Sequence, residues 1–311
     1  MTTPQACTAH RRTPYCRSAL TLIELIVVVL IVGVFLFLAL PRFSGRKSRE
    51  LAKRLVCAAN LKGIGTSMKL YAYDYDEQWP VPPFDESAIG MIRYTTDIGG
   101  GKGTRWSPDR TQPSMSGPDG TTELSPTRAL WMLARSGDVT AKQFVCPSGK
   151  DEPASTGRID SYYDFPLYDN VSYGYQVPFG PEQTRPRDPI DNRMILAADK
   201  GPYRDPGVAL PPVSLSLGNL SEDWHPFNSN NHGGKSKGEG QNVLFVDGHV
   251  TFERTPIVGV DQDNIYTVML DNRRESSRVV GESPWMRSAH PYAPFDDAGQ
   301  PLSSTDSVIF P

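Results

Sequence analysis

Ser18-Ala19-Leu20-Thr21-Leu22-Ile23-Glu24-Leu25-Ile26 opens an apolar run that continues without another charge to Leu40. About 20 consecutive apolar residues suffice to cross a bilayer as a helix, and 20–40 is of that length. A carboxylate inside such a run is costly, about 2.5–3.5 kcal/mol at a helix centre and less near an end. Glu24 therefore asks for a partner and is a candidate functional residue.

Outward from this run, the first 19 residues are polar and carry Arg11, Arg12 and Arg17. A secretory signal places its small-residue cleavage site after the apolar core. Here the small residue, Ala19, comes before it, so cutting at that point keeps the apolar segment. The run ends at Pro41, which removes one helical hydrogen bond and predicts a kink. Beyond it, Leu51, Leu55, Ala58, Leu61, Ile64, Met68, Tyr71 and Tyr75 recur every three or four residues. That spacing predicts an amphipathic helix, with Lys53, Lys62 and Lys69 opposite and Trp79-Pro80 as its stop. Joined to the apolar run, it makes one helix about 80 Å long at about 1.5 Å per residue.

These residues resemble the processing site of type IV prepilins and type II secretion pseudopilins. The resemblance implies cleavage between Ala19 and Leu20 by a prepilin peptidase, N-methylation at Leu20, and Glu24 as the carboxylate that meets a neighbouring subunit's terminal amine. Ala19 and Leu20 stand where the family usually has Gly and Phe. Cys57 to Gly65, Tyr71 to Asp76 and Phe144-Val145-Cys146-Pro147-Ser148 resemble a group of long prepilin-like proteins with a C-terminal His-to-Asp-Gly motif. The implied organisation is a leader over 1–19, a transmembrane and filament-core helix over 20–40, its amphipathic continuation over 41–79, and a periplasmic loop-rich domain over 80–311. The expected fold class is α+β, a long N-terminal helix packed on an antiparallel β domain. The implied location is the inner membrane, single-pass, with filament after assembly. The implied partners are other pilin or pseudopilin subunits and the secretion or pilus machinery.

Composition narrows the rest. The 311 residues carry a net charge of -3, which gives no general nucleic-acid signal. With 28 Pro and 27 Gly the domain should be rich in connections. Ala129 to Leu133 reads as a short helix, Tyr162 to Tyr175 as short strands, and Met194 to Asp199 as a buried strand. Gly99 to Thr104 lacks the Ser or Thr that follows Lys in a phosphate loop. Asp247-Gly248, between Asn242-Val243-Leu244-Phe245-Val246 and His249-Val250-Thr251-Phe252, is a strong hairpin signal. A two-residue turn there puts Val243, Phe245, Val250 and Phe252 on one face.

Of the four cysteines, Cys7 and Cys16 fall in the leader. Cys57 and Cys146 are a candidate disulfide in an oxidising compartment, or two separate thiols. His225, His232, Asp247 and His249 have no zinc-motif spacing and read as structural or loop residues. His232 also stands further from Asp247-Gly248 than the prepilin-like motif has it, across the insertion Gly233 to Gly240. Asp261 and Asp263 offer oxygens at alternate positions as calcium candidates, without the Gly and Glu of an EF-hand loop. No Gly-x-Ser-x-Gly or His-Glu-x-x-His signature appears, and the chain is read as a non-enzyme needing no cofactor. The alternatives are a membrane-tethered binding module that does not polymerise and a minor pseudopilin that caps or primes a filament.

Overall fold

The computed structural model describes residues 21–43, 46–81, 93–94, 123–124, 126–155, 159–178, 191–203, 209–233, 237–269, 278–281 and 305–310. Ala19, Leu20 and the Gly99 to Thr104 loop lie outside them. The chain divides into two units, Met1–Ser48 and Arg49–Pro311.

The first unit contains helix α1, Leu22–Phe43. Its start is set by a capping box, the Ser/Thr-x-x-Glu pattern that satisfies free backbone N–H groups. The Thr21 backbone N–H and hydroxyl both donate to Glu24 Oε2 at 2.9 Å, and Glu24 N approaches Thr21 Oγ1 at 3.4 Å. Thus Glu24 has a local role that requires no second chain. Pro41 lies within α1, two residues before its end.

The expectation of one long N-terminal helix packed on a β domain is overturned. Helix α1 stops at Phe43 and a separate helix, α2, runs over Arg46–Asp74. Pro41, near the end of α1, withholds one helical hydrogen bond. The single-pass inner-membrane placement is overturned as well. Among the described residues no helix is long and apolar enough to cross a membrane.

In the second unit, α2 buries Cys57, Leu61, Ile64, Met68 and Ala72. These recur at steps of three and four, one helical face. The stripe expected from sequence included Leu51, Leu55 and Tyr75, which are exposed. The buried face is rotated towards Cys57. The remaining elements are β1 (Arg93–Tyr94), β2 (Glu123–Leu124), α3 (Thr127–Ser136), β3 (Tyr173–Gln176), β4 (Ile195–Asp199), β5 (Gln241–Phe245), β6 (Val250–Glu253) and β7 (Ile309–Phe310). Strands β1 and β2 form a short parallel pair. The others form an antiparallel sheet in the order β6-β5-β4-β3-β7.

Both faces of this sheet are covered. On one, Tyr173, Tyr175, Ala197 and Leu244 pack with the buried stripe of α2 and with Leu130, Trp131 and Leu133 of α3. On the other, Ile195, Ala198, Val243 and Ile309 pack with Tyr203, Ile265 and Tyr266. Double coverage is why β4 reads as a continuous apolar run without alternation. Helix α2 approaches β5 closely at Gly65, where a Cβ would stand 2.7 Å from Leu244 Cδ1.

The β5–β6 hairpin differs in detail from the predicted two-residue turn. Gly248 N donates to Phe245 O at 2.8 Å, and Phe245 N to His249 O at 3.0 Å. The loop is therefore Val246-Asp247-Gly248, in which Gly248 takes a left-handed φ of 88° and Asp247 does not. A type I turn followed by a left-handed glycine bulge is the common three-residue solution. The extra residue moves the register by one. Leu244 faces Val250 and Val243 faces Thr251, so the expected four-residue apolar face does not form.

Candidate functional site

Four buried side chains from four separate segments converge beneath α2. Cys57 projects from the buried face of that helix. Cys146 follows a 3-10 turn over Ala141–Phe144. Asp199 is the last residue of β4, and His232 lies in the connection before β5. All four are between 0% and 1% exposed, and their ligating atoms lie within 4.8 Å of one another.

Each member is held from behind. The Cys146 backbone N–H donates to Ser172 Oγ at 2.9 Å, and Ser172 donates to Asp151 at 2.6 Å. Lys200 closes this support by pairing with Asp151 at 2.8 Å. Asp199 receives Asn242 N at 2.6 Å and Asn231 Nδ2 at 2.9 Å. His232 Nδ1 lies 3.1 Å from Glu50 Oε1, which also receives Ser148 Oγ at 2.9 Å. Tyr173 Oη lies 3.3 Å from Cys57 Sγ. Inside the cluster, Cys57 Sγ is 3.2 Å from Asp199 Oδ1 and Cys146 Sγ is 3.6 Å from His232 Nε2. His232 Nε2 is 3.1 Å from Asp199 Oδ2.

The electrostatics are those of a buried polar knot. Burial, then the neighbouring Cys146, pushes the Cys57 thiol well above its ordinary range. Cys146 goes the other way, down to about 6, led by its hydrogen bond with Cys57 and helped by His232, against the cost of burial. Burial disfavours charge on His232, but the Asp199 carboxylate outweighs it and lifts the imidazole to about 10. Burial likewise opposes ionisation of Asp199 and Glu50, and their hydrogen bonds and the His232 charge hold both below the usual carboxylate range. All four side chains of the cluster are buried. Two sulfurs, one imidazole nitrogen and one carboxylate oxygen are also a donor set that borderline-soft divalent metals accept.

The residues singled out from sequence have different fates. Cys57 and Cys146 do meet, as free buried thiols. Of the four residues weighed as a metal group, His232 is in the cluster, whereas Asp247 and His249 pair with each other on the exposed hairpin. His225 lies in a separate 3-10 turn, His225–Phe227. The calcium candidates diverge. Asp261 is exposed and pairs with Arg193 at 3.4 Å, while Asp263 is buried and receives Ser307 N at 2.8 Å. Sequence reasoning missed Glu50, Asp199, Asn231 and Asn242, which carry no spacing signal. It also missed the Thr21 cap of Glu24, which was visible as Thr-x-x-Glu before an apolar run.

Comparison with family models, with curated proteins and with solved structures finds no match for this chain.

Proposed function

We propose that this protein is a structural subunit of a pilus- or pseudopilus-like filament, joined to other copies through α1. The observation that carries the reading is the surface of that helix. Its large apolar side chains from Leu22 to Leu36 are 48–77% exposed. A helix apolar all round is stable only when something covers it. Every copy of the chain brings the same helix, so lateral packing of copies covers all of them at once. Processing by a prepilin peptidase at Ala19–Leu20 and pairing of Glu24 with a neighbouring amine belong to the same reading, by resemblance to prepilins. The buried cluster suits a structural role too, since its four side chains are 0–1% exposed.

The test is assembly of the full chain produced with a prepilin peptidase, followed by electron microscopy and N-terminal mass. The expected result is filaments whose subunits begin at N-methylated Leu20. Leu25, Val29 and Val32 lie on one face of α1, and replacing all three by Asn should leave unassembled chains. Unassembled wild-type chains that retain Met1 would overturn the proposal.

A further inference from the structure

The geometry points to a structural zinc site made by Cys57, Cys146, Asp199 and His232. Zinc takes four N, S or O ligands at about 2.0–2.3 Å in a tetrahedron. The edges of that tetrahedron are then about 3.5 Å for sulfur to nitrogen or oxygen and about 3.3 Å for nitrogen to oxygen. The corresponding separations are 3.6 Å for Cys146 Sγ to His232 Nε2, 3.2 Å for Cys57 Sγ to Asp199 Oδ1, and 3.1 Å for His232 Nε2 to Asp199 Oδ2. These three separations are near zinc edges, the two at Asp199 through its two different oxygens, and all four ligating atoms lie within 4.8 Å of one another, so a small inward movement of the side chains seats the ion.

The surroundings fit the same ion. A metal-bound histidine almost always gives its other nitrogen to a carboxylate or carbonyl, which fixes the ring. Glu50 stands at 3.1 Å from His232 Nδ1 in that position, and Asp199 is fixed by Asn231 and Asn242. Nε2 cannot at once donate to Asp199 and Cys146 and accept from Asn242 Nδ2, although all three crowd it. A cation at the centre takes lone pairs from the imidazole, the carboxylate and both sulfurs. With four protein ligands and no exposed face, the site is closed, the mark of a structural rather than catalytic zinc. It ties α2 to the Cys146 loop, to the end of β4 and to the approach to β5. This inference does not depend on filament assembly, because the four residues belong to one chain.

The experiment uses the full chain, reduced and stripped with a chelator, then titrated with zinc and separately with cobalt. The expected result is stoichiometric uptake of a single ion, a rise in melting temperature, and a cobalt spectrum showing thiolate charge transfer and tetrahedral d–d bands. Cys146→Ser and His232→Ala should each lower zinc affinity by more than about 100-fold, beyond the ~10–100-fold cost of losing an outer contact. The cobalt spectrum is read on the unaltered chain, so it stands even where a variant fails to fold. A folded, reduced chain that takes up neither ion overturns the proposal. So does a cobalt spectrum without thiolate bands.

Discussion

Glu50 and His232 stand 182 positions apart in the chain, yet Glu50 Oε1 lies 3.1 Å from His232 Nδ1. The contact ties the first turns of α2 to the connection before β5 and sets the orientation of the imidazole. Of the four members of the cluster Glu50 hydrogen-bonds only His232, so it acts through that residue as a positioning residue. Glu50→Ala should weaken zinc binding by about 10–100-fold, the usual effect of removing the group behind a metal-bound histidine. Chelator competition measures it. Affinity equal to the unaltered chain would reduce the contact to packing.

Gly248 occupies the left-handed position that closes the β5–β6 loop. A residue with a Cβ pays roughly 1–2 kcal/mol for that conformation, and Asn tolerates it better than Ala. Gly248→Ala should therefore lower unfolding stability by about 1–2 kcal/mol, and Gly248→Asn by less. Denaturant midpoints at unchanged slope would show it. Equal effects of the two substitutions would mean that contacts with Lys69, not backbone strain, dominate.

Asp263 is buried near Asp306, and its carboxyl titrates well above the usual range, first because of burial and then because of Asp306. A raised acid binds its proton more tightly in the folded chain than in the unfolded one. Its contribution is most favourable below the unfolded value of about 3.9 and declines as pH rises from there towards the folded value. Asp263→Asn removes this penalty while keeping an oxygen for Ser307 N. The variant should gain melting temperature over the unaltered chain at pH 7.5, and the gain should shrink at pH 4. A gain independent of pH would exclude ionisation as its source.

Trp131 is fully buried; its indole N–H donates to Tyr162 O at 2.9 Å and its ring meets Phe165 edge-on at 4.8 Å. Trp131→Ala removes a large core side chain and leaves the Tyr162 carbonyl short of this donor. A loss of about 3–5 kcal/mol is expected, readable by urea unfolding. A loss under about 1 kcal/mol would show that α3 is not integral to the core.

Thr21 and Glu24 separate the two roles of the carboxylate. Thr21→Ala breaks the cap but leaves the Glu24 charge in place, whereas Glu24→Ala removes both. If Glu24 meets a neighbouring amine, Thr21→Ala should still form filaments and Glu24→Ala should not. Equal loss in both variants would assign Glu24 to helix capping alone.

Local physics was legible in the chain. The apolar run of β4, the short helix at Ala129–Leu133 and the hairpin at Asp247-Gly248 depend on neighbours within a few residues. Their patterns survive as α3, β4, β5 and β6. The extent and register of such elements were less legible. The type of turn at Gly248 depends on which backbone groups pair across the strands, and one added loop residue reversed the face of β6. One continuous helix over α1 and α2 was also expected, because apolar periodicity does not report where one helix ends and the next begins.

The sequence by itself determined that α1 is apolar from Leu25 to Leu40 and that α2 has a buried side, since both follow from side-chain order along a helix. Only the tertiary structure decided that Cys57, Cys146, Asp199 and His232 share one centre. They come from four elements, and partners such as Cys57 and Asp199 are 142 positions apart. No spacing rule spans such a gap. What brings them together is the closing of α2 over the sheet, where Gly65 lets the helix come within reach of Leu244. Glu24 reads in the sequence as a charge in need of a partner. The fold supplied Thr21 one turn away, because at a helix start the nearest unsatisfied donors are the chain's own.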